Sequence, residues 1–422
     1  MPGAVRRSAG WVDVAKGNLI VGQSGGATAV INASLWGVIA EALAHEAVGE
    51  IIGMRFGVEG LLREELIDLR RQPAAVLARL RRTPAAALGA CRHRLRPAEA
   101  ERALAICRRL GVRYFLYIGG NDSADTAHTL HVLAAARGID LAVIAVPKTI
   151  DNDLPVTDHC PGYGSIARFV ATATQESGKD TEAQATLYPV KLIEVMGRNA
   201  GWVAAASWLG KRAEEDAPHL VYLPERPVAG VEQVLAEVQA AHARYGRVVA
   251  VLPETMKDAQ GRPIGGSEPV FVDSFGHRYF ASPAEALARR ITGELGLRAR
   301  YDRPGTIQRM SMALASPVDL DEAEAVGREG VRLALAGVSD RMVTLVRESD
   351  EPYRCGLGSV ELAAIANTER HLPDAFIGAG GRSLTPAFAA YARPLLGAPP
   401  PDYARLEPLP VRWPPSPPSL GD

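Results

Sequence analysis

The stretch YFLYIGGNDS, residues 114–123, contains the pattern that decides the fold. Its apolar residues run continuously and end at two glycines, which are followed by Asn121 and Asp122. Continuous apolar runs are typical of parallel strands that are buried on both faces of a sheet. The stretch therefore predicts a buried strand, a glycine turn and the start of a helix. Turns of this kind commonly bind phosphate or its metal ion.

Similar apolar runs recur along the chain and alternate with segments of helical period. The predicted strands are residues 18–22, 50–56, 114–119, 141–147, 192–197, 219–224 and 248–253, and the clearest helical patterns are 31–42, 97–110 and 231–245. This alternation predicts an α/β protein with right-handed crossovers, and 422 residues suffice for two domains. Ligands in such sheets bind at the carboxyl ends of strands, so the residues after each strand are the candidate site residues.

The composition disfavours several classes of function. The chain has 47% hydrophobic and 23% charged residues with a formal net charge of −1, so nothing favours nucleic acid or a membrane as a partner. Four scattered cysteines predict reduced thiols in a cytoplasmic protein. The sequence predicts no signal peptide and no span of about 20 apolar residues. Residues 1–16 are expected to form a polar extension, and residues 393–422 a proline-rich, extended or disordered tail.

Two glycine turns are candidate phosphate sites. Ser24, Gly25 and Gly26 are expected to lead straight into a helix, whose first N–H groups and positive dipole end would attract phosphate. A simple tight turn remains the alternative. In GGNDS, residues 119–123, Asp122 or Ser123 could equally be no more than a helix N-cap.

The loop PKTIDNDLP, residues 147–155, carries the groups that phosphoryl transfer requires. Asp151 and Asp153 lie two residues apart and would point the same way in an extended chain. One carboxylate could take a hydroxyl proton, the other could hold Mg²⁺, and Lys148 could neutralise the transferring group. A solvated Asx-rich loop is the alternative interpretation, but these charges follow a buried strand at the edge where ligands bind.

Further charged residues follow other predicted strands. In EVMGRNAGW, residues 194–202, Gly197 permits a tight turn, and Arg198 could bind a phosphate or a sugar hydroxyl. Arg198 could also simply cap the loop. Glu254 and Arg309 occupy comparable positions.

Taken together and in order, SGG, GGNDS, PKTIDND, EVMGR and GTIQR resemble the motifs of the phosphofructokinase family. The resemblance extends from about Gly17 to about Gly337. It implies two Rossmann-like, three-layer α/β domains with parallel-rich sheets and an active site in the cleft between them. The first domain is then expected at 17–160 with a return at about 305–340, the second at 161–304, and residues 341–392 form a C-terminal part of the fold.

The resemblance also implies a role for each site residue. Asp151 resembles the base for the sugar 1-hydroxyl, and the catalytic set is Asp151, Lys148, Asp122 and Thr149. The implied contacts of fructose 6-phosphate are Thr149, Ile150, Asp151, Met196, Gly197, Arg198, Glu254, Arg300, Tyr301 and Arg309. Gly25, Gly26 and Lys148 are implied to bind pyrophosphate, and Asn121, Asp122 and Asp153 to bind Mg²⁺. Family members take some cations from a neighbouring subunit, which implies a homodimer or homotetramer.

Two positions indicate which phosphoryl donor is used. ATP-using members of the family have motifs similar to GGDGS and PGTID at these two turns. This chain has Asp122 in place of the last glycine of GGDGS and Lys148 in place of the glycine of PGTID, and in this it resembles the pyrophosphate-dependent branch. A carboxylate at 122 adds bulk and negative charge where the α-phosphate of a nucleotide would lie. A lysine is a compact cation that suits pyrophosphate. Asn121 departs from the metal-binding Asp of the family, because an amide oxygen brings less charge to a metal.

Three rival functions remain open at this point. The first is an ATP-dependent phosphofructokinase or a related sugar kinase, which Asp122 and Lys148 disfavour. The second is a dinucleotide-dependent oxidoreductase, which the absence of GxGxxG after the first strand weakens. The third is a non-catalytic protein that binds sugar phosphates and regulates a partner, which the complete set of charged residues disfavours.

Overall fold

The computed structural model describes residues 16–266, 268–272, 278–366, 368–407 and 409–411. Its strands are β1 Gly17–Gln23, β2 Val48–Met54, β3 Leu66–Asp68, β4 Val112–Gly119, β5 Ala142–Pro147, β6 Val190–Val195, β7 Leu220–Val221, β8 Val248–Pro253, β9 Phe271–Val272, β10 Arg278–Tyr279, β11 Ala299–Asp302, β12 Arg341–Asp350 and β13 Tyr353–Glu361. Its helices are α1 Ile31–Leu43, α2 Gly57–Arg63, α3 Ala74–Leu80, α4 Pro97–Arg109, α5 Asn121–Ala136, α6 Tyr163–Ala183, α7 Trp202–Ala206, α8 Val231–Tyr245, α9 Pro283–Leu295, α10 Pro317–Leu335 and α11 Pro386–Ala392. Short 3₁₀ helices cover Ser207–Gly210, Gly305–Arg309, Leu362–Ala364, Asp374–Phe376 and Pro394–Leu396.

Two parallel-rich sheets organise these elements. The larger sheet has the order β13-β12-β5-β4-β1-β2-β3, and β12–β13 and β2–β3 are its antiparallel pairs. The smaller sheet has the order β11-β6-β8-β7 and is parallel throughout. The predicted α/β class is therefore confirmed.

Each sheet is covered on both faces, which explains the continuous apolar strands. Along β1, Leu19 packs into one buried cluster with α1 and α10, whereas its neighbour Ile20 packs into another with α2, α4 and α5. Along β6, Leu192 and Ile193 likewise enter clusters on opposite faces. Because successive side chains of a strand point to opposite faces, both must be apolar in a three-layer arrangement.

Helices α1 and α10 approach each other closely because each places a glycine at the crossing. A Cβ added to Gly37 would lie 2.1 Å from the carbonyl oxygen of Glu324, and one added to Gly327 would lie 2.1 Å from that of Ser34. No side chain fits at either position. This reciprocal contact fixes α10 against the amino-terminal helix of the larger sheet.

The chain builds the larger sheet from residues 17–147 and 341–361 and the smaller sheet from residues 190–302. The expected domain boundaries at about 160 and 305 stay a prediction. The hairpin β12–β13 extends the larger sheet at its edge, through parallel pairing of β12 with β5. None of the described helices combines the length and the apolar character that crossing a membrane requires.

Several element boundaries differ from the prediction. The strand predicted at 219–224 pairs as a strand only at Leu220–Val221, because the chain turns at Leu223, whose carbonyl accepts from Arg226 N at 3.0 Å. The strand predicted at 50–56 ends at Met54, since Phe56 adopts a left-handed φ of 54° before α2. The tail predicted at 393–422 starts too early, because Pro394–Leu396 form a 3₁₀ helix in which Leu395 and Leu396 are buried. Residues 398–407 have no regular structure, and Arg405 there pairs with Glu182. The extension at residues 1–15 and the end of the tail at 412–422 lie outside the described residues.

Candidate active site

The three predicted turns of the larger sheet meet because β1, β4 and β5 are neighbours. Each turn follows the carboxyl end of its strand, where ligands bind in open α/β sheets. They form one side of a cavity of about 480 Å³, which we call the larger cavity. Its lining residues are Ser24, Gly25, Gly26, Arg92, Gly120, Asn121, Asp122, Ser123, Lys148, Thr149, Asp151, Asp153, Arg198, Asn199, Ala200, Glu369 and His371.

A second cavity of about 110 Å³, the smaller cavity, lies between the two sheets. The ends of β6 and β8 supply part of its wall, and the 3₁₀ helix Gly305–Arg309 supplies another part. Gln308 holds this helix against β6, since its Oε1 accepts a hydrogen bond from Met196 N at 3.1 Å. The lining residues are Gly26, Ala27, Arg92, Lys148, Thr149, Ile150, Asp151, Met196, Gly197, Arg198, Glu254 and Arg309.

The two cavities share part of their walls. The shared residues are Gly26, Arg92, Lys148, Thr149, Asp151 and Arg198. Asp151 and Lys148 therefore face both cavities at their junction. A group bound in one cavity would meet a group bound in the other beside a carboxylate and an ammonium.

Lys148 is almost fully buried at this junction, with 4% of its surface exposed. Its Nζ donates to the carbonyl oxygen of Gly26 at 2.9 Å, so the lysine ties the loop after β5 to the glycine turn after β1. Burial, reinforced by Arg309 and Arg92, lowers the pKa of Lys148 to about 8, against the opposing pull of Asp151 and Asp153. The lysine is thus a cation near neutral pH whose charge depends on its surroundings.

The carboxyl groups of Asp151 and Asp153 are held less acidic than usual. Burial and the charge of Glu254 raise the pKa of Asp151 to about 6, while Arg198 and Lys148 oppose this rise. Burial and the neighbouring Asp151 raise the pKa of Asp153 to about 7. Raised carboxyl pKa values in a cleft are typical of acid–base sites.

The loop that carries both carboxylates is not extended, contrary to the prediction. Asn152, between them, has a left-handed φ of 54° and is fully buried. Asparagine is among the few residues that tolerate this conformation. Asp151 and Asp153 still line the same cavity, but the twist at Asn152 and not an extended chain brings them there.

The glycine turn after β1 does not lead straight into a helix. Helix α1 begins at Ile31 with Val30 as its N-cap residue, and Thr28 Oγ1 accepts from Ile31 N at 2.9 Å. Gly25, with φ of 74°, instead donates its N–H to the carbonyl of Cys91 at 3.0 Å. The predicted dipole contribution of a helix N-terminus at Gly25 and Gly26 is therefore wrong. These glycines leave room for Lys148 Nζ and for Arg309, whose Nη1 would lie 2.4 Å from a Cβ at Gly26.

The turn GGNDS does start a helix, but neither Asp122 nor Ser123 caps it. Gly120 is the N-cap of α5, and no side chain makes a capping hydrogen bond there. Asp122 is exposed in the first turn and lines the larger cavity. The simple capping interpretation of this turn therefore has no support in the structure.

The oxygen donors of the larger cavity fit a magnesium ion. Within the described part of the chain, Asn121 Oδ1 and Asp151 Oδ1 are buried without a hydrogen-bond partner. Asp122 and Asp153 add carboxylates on the same cavity. The described residues contain no complete protein cage of three His, Cys, Asp or Glu side chains. Mg²⁺ is usually bound by one or two carboxylates together with substrate phosphates and water.

Two predicted residues lie outside both cavities. Arg300 and Tyr301 are exposed on β11, and the Arg300 guanidinium stacks over the Tyr188 ring at 3.4 Å from its centroid. All other predicted residues line at least one of the two cavities. Within a single chain, the site therefore lacks Arg300 and Tyr301.

Four charged or polar lining residues were not predicted. Arg92 follows α3 in an irregular loop, and Asn199 follows the predicted Arg198. Glu369 and His371 come from the C-terminal segment, far from any recognised motif. The basic run CRHRLR at 91–96 was a signal for Arg92, but nothing in the sequence around 369 marks a ligand site.

A known protein family matches most of this chain. The family model described as Phosphofructokinase matches residues 18–333. The chain belongs to the phosphofructokinase family. Among relatives in this family, one from Xanthomonas campestris, named pyrophosphate--fructose 6-phosphate 1-phosphotransferase, is 42% identical over 90% of this chain and 91% of its own length.

Further relatives carry names of the same branch of the phosphofructokinase family. A protein of Halomonas elongata with that same name is 40% identical over 91% of this chain and 92% of its own length. The solved structure of a pyrophosphate-dependent phosphofructokinase from Marinobacter aquaeolei superposes with a TM-score of 0.83 at 36% identity, and covers 93% of this chain and 94% of that one. The predicted family and its two-domain α/β fold are thus confirmed.

Proposed function

We propose that this protein transfers a phosphoryl group from inorganic pyrophosphate to the 1-hydroxyl of fructose 6-phosphate. The products are fructose 1,6-bisphosphate and phosphate. The observation that carries the proposal is the junction of the two cavities, where Asp151 and Lys148 line both walls. The names of the relatives support pyrophosphate as the donor over ATP.

The reaction requires a base at the junction, and we assign that role to Asp151. Its carboxylate takes the proton of the 1-hydroxyl as that oxygen forms a bond to the nearer phosphorus of pyrophosphate. The bond from this phosphorus to the bridging oxygen breaks, and inorganic phosphate leaves with the electron pair. Lys148 neutralises the charge that spreads over the transferring group, and Thr149 lies beside it. Thr149 also holds the backbone of Asp151 in place, since its Oγ1 accepts a hydrogen bond from Asp151 N at 3.0 Å.

Donor selection is assigned to the larger cavity. Gly25, Gly26 and Lys148 would hold pyrophosphate there, and the exposed carboxylate of Asp122 would repel the additional phosphate of a nucleotide. Because pyrophosphate is the donor, the reaction is expected to run readily in both directions.

Magnesium would be held by Asn121, Asp122 and Asp153. When bound, the ion would neutralise charge on the pyrophosphate oxygens. Asn121 is fixed for this role, because its Nδ2 donates to the Thr368 carbonyl at 2.7 Å and leaves Oδ1 for the ligand.

Fructose 6-phosphate is assigned to the smaller cavity. Its contacts there are Thr149, Ile150, Asp151, Met196, Gly197, Arg198, Glu254 and Arg309. We further propose that Arg300 and Tyr301 complete the site of a neighbouring subunit in a homodimer or homotetramer, since both are exposed and lie outside this chain's own cavities. All four cysteines are free, which supports a cytoplasmic location.

One experiment tests the proposal. The purified protein is incubated with fructose 6-phosphate and Mg²⁺ and with either pyrophosphate or ATP, and fructose 1,6-bisphosphate is measured through an aldolase-coupled assay. We expect product with pyrophosphate and a rate of product formation at least about 100-fold lower with ATP. This is the order of effect expected when the Asp122 carboxylate repels the additional phosphate of the nucleotide. Product with ATP alone would replace the proposal by an ATP-dependent phosphofructokinase. Tight sugar-phosphate binding without product from either donor would favour the non-catalytic regulatory protein.

A further inference from the structure

The segment 368–371 closes one side of the larger cavity. It lies beyond residues 18–333, which the family model matches. The Thr368 carbonyl accepts from Asn121 at 2.7 Å, and both oxygens of Glu369 accept from Asn199 Nδ2, at 3.0 and 3.1 Å. The segment therefore contacts the turn after β4 and the loop after β6, one from each sheet.

Between these contacts, Arg370 lines neither cavity and binds the segment 152–158, which continues the loop that carries Asp151 and Asp153. Its guanidinium donates to the carbonyl of Asn152 through Nε at 3.2 Å and Nη2 at 2.8 Å. Nη1 donates to the carbonyls of Thr157 and Asp158 at 2.7 and 2.6 Å. The backbone N–H of Arg370 donates to the Asp153 carbonyl at 2.7 Å. One residue thus binds three carbonyls of the segment 152–158 with its side chain and a fourth with its backbone.

The Arg370 guanidinium also packs against Trp202, a residue of the helix that follows β6 of the smaller sheet. The Arg370 guanidinium lies 4.8 Å from the centroid of the Trp202 ring, which is buried in helix α7. The Trp202 indole N–H returns a hydrogen bond to the Arg370 carbonyl at 3.1 Å. The planar guanidinium can stack and donate in its plane at the same time, which an ammonium cannot do.

Asn152, whose carbonyl accepts two hydrogen bonds from Arg370, has a strained backbone conformation. Asn152 has a φ of 54°, and its side chain is used on both sides: Oδ1 accepts from Cys160 N at 2.9 Å and Nδ2 donates to the Tyr391 hydroxyl at 3.0 Å. A strained conformation persists only when its surroundings fix it. The Asn152 carbonyl and the N–H of Asp153 belong to one planar peptide unit. Holding that carbonyl therefore also sets the orientation of the backbone at Asp153.

We propose that Arg370 is a positioning residue for phosphoryl transfer, which holds the loop 151–153 in the conformation that sets Asp151 and Asp153 toward the two substrates. The inference rests on the proposed function. It makes the C-terminal segment part of the catalytic apparatus, although Arg370 itself lines neither cavity. Because the residue acts on the loop and not on a substrate, its loss should affect turnover more than binding.

The test compares Arg370→Met with Arg370→Lys and with a matched control, Arg382→Met. Arg382 also lies in the C-terminal region, pairs with Glu237 at 3.0 Å, donates to the Arg226 carbonyl at 2.9 Å and stacks over the Tyr222 ring at 4.9 Å. It lines neither cavity. The control therefore loses a guanidinium with similar bonds but without a link to the loop. For each variant, kcat and both KM values, fructose 6-phosphate binding by calorimetry and Tm are measured.

We expect Arg370→Met to lower kcat by about 100-fold, since a displacement of about 1 Å at reacting groups has this effect. KM and affinity for fructose 6-phosphate should stay within about threefold. Arg370→Lys should recover about tenfold of the loss, and Arg382→Met should lower Tm comparably but keep kcat within about twofold. If Arg370→Met does not fold, Arg370→Lys alone decides, with an expected tenfold decrease in kcat at unchanged KM.

Three results would overturn the inference: a kcat of either folded Arg370 variant equal to wild type, an equal loss in Arg382→Met, or a loss in kcat that follows a loss of sugar-phosphate affinity. The proposed function fails separately. If the wild-type protein forms no fructose 1,6-bisphosphate, the reaction assignment is wrong, whereas an active wild type with an equally active Arg370→Met refutes only the positioning role.

Discussion

The alkaline limit of activity is the feature that the structure predicts most sharply. In the proposed mechanism Lys148 must carry its proton to neutralise the transferring phosphoryl group. Burial with the charges of Arg309 and Arg92 lowers the pKa of Lys148 to about 8. A lysine is fully charged below its pKa and loses that charge as the pH rises through it. One unit above the pKa, about a tenth of the groups remain protonated. kcat/KM, which reports the free enzyme, should therefore fall about tenfold between pH 7 and pH 9.

Replacing Lys148 by Arg tests this origin of the limit. A guanidinium stays protonated across this range, so the variant should lose the alkaline decline and change less than about twofold between pH 7 and pH 9. Its overall kcat/KM at pH 7 should be about 10–100-fold lower, because the pocket is closed around a compact ammonium that is 2.9 Å from the Gly26 carbonyl. The shape of the profile, and not its height, is the readout.

The assay follows initial rates at subsaturating fructose 6-phosphate from pH 6 to pH 9.5 with fixed Mg²⁺ and pyrophosphate. Titration of the substrates affects every variant equally. The ratio of kcat/KM for wild type to kcat/KM for the variant at each pH therefore reports the titration of the enzyme's own group. Lys191→Arg is the matched control, because Lys191 is also buried but pairs with Asp302 at 2.8 Å and lines neither cavity. It should keep the wild-type profile. A tenfold decline that persists in Lys148→Arg would refute the assignment of this limit to Lys148.

Three further predictions concern the base, the donor and the fold. Asp151→Ser should lower kcat by about 10²–10⁴-fold while calorimetric affinity for fructose 6-phosphate stays within about threefold, and an unchanged rate would refute its role as base. Asp122→Gly should make ATP binding detectable by titration with a fluorescent nucleotide, because it removes bulk and charge from the larger cavity; undetectable binding would show that the charge argument is incomplete. Gly37→Ala should lower the free energy of unfolding in urea by about 1–3 kcal/mol, because its Cβ would lie 2.1 Å from the Glu324 carbonyl, whereas Gly293→Ala in α9, with open space around it, should not.

The sequence carried enough information to predict most of the sheets and the strand ends. Buried parallel strands need apolar residues on both faces, so β4, β5 and β8 were visible as continuous runs, and β8 was predicted with its observed bounds of 248–253. Because ligands bind after such strands, the glycine turns after β1 and β4, the loop 147–155, Arg198 and Glu254 could be proposed from the strand ends, and the family resemblance added Met196. The structure brings these residues to two adjoining cavities.

What the sequence could not predict depends on contacts between distant segments. Arg370 binds Asn152 across a separation of 218 residues, and no local pattern of charge or periodicity marks it. The twist at Asn152 likewise follows from its partners Cys160 and Tyr391 and not from the DND motif. The helix predicted at 31–42 does begin at Ile31, but residues 27–30 separate it from Gly26, so the glycine turn does not lead straight into it.

The proposed role of Asp151 as the base, beside Lys148, has a chemical consequence of its own. Asp151 in its ionised form favours the charged form of Lys148, and Lys148 in turn favours the ionised form of Asp151. When Asp151 accepts the hydroxyl proton, it becomes neutral, and the ammonium loses this carboxylate as a partner. At the same moment, negative charge spreads over the transferring phosphoryl group. The Lys148 ammonium thus loses the negative charge of Asp151 as negative charge develops on the phosphoryl group. The charge at the junction stays balanced without any side chain having to move.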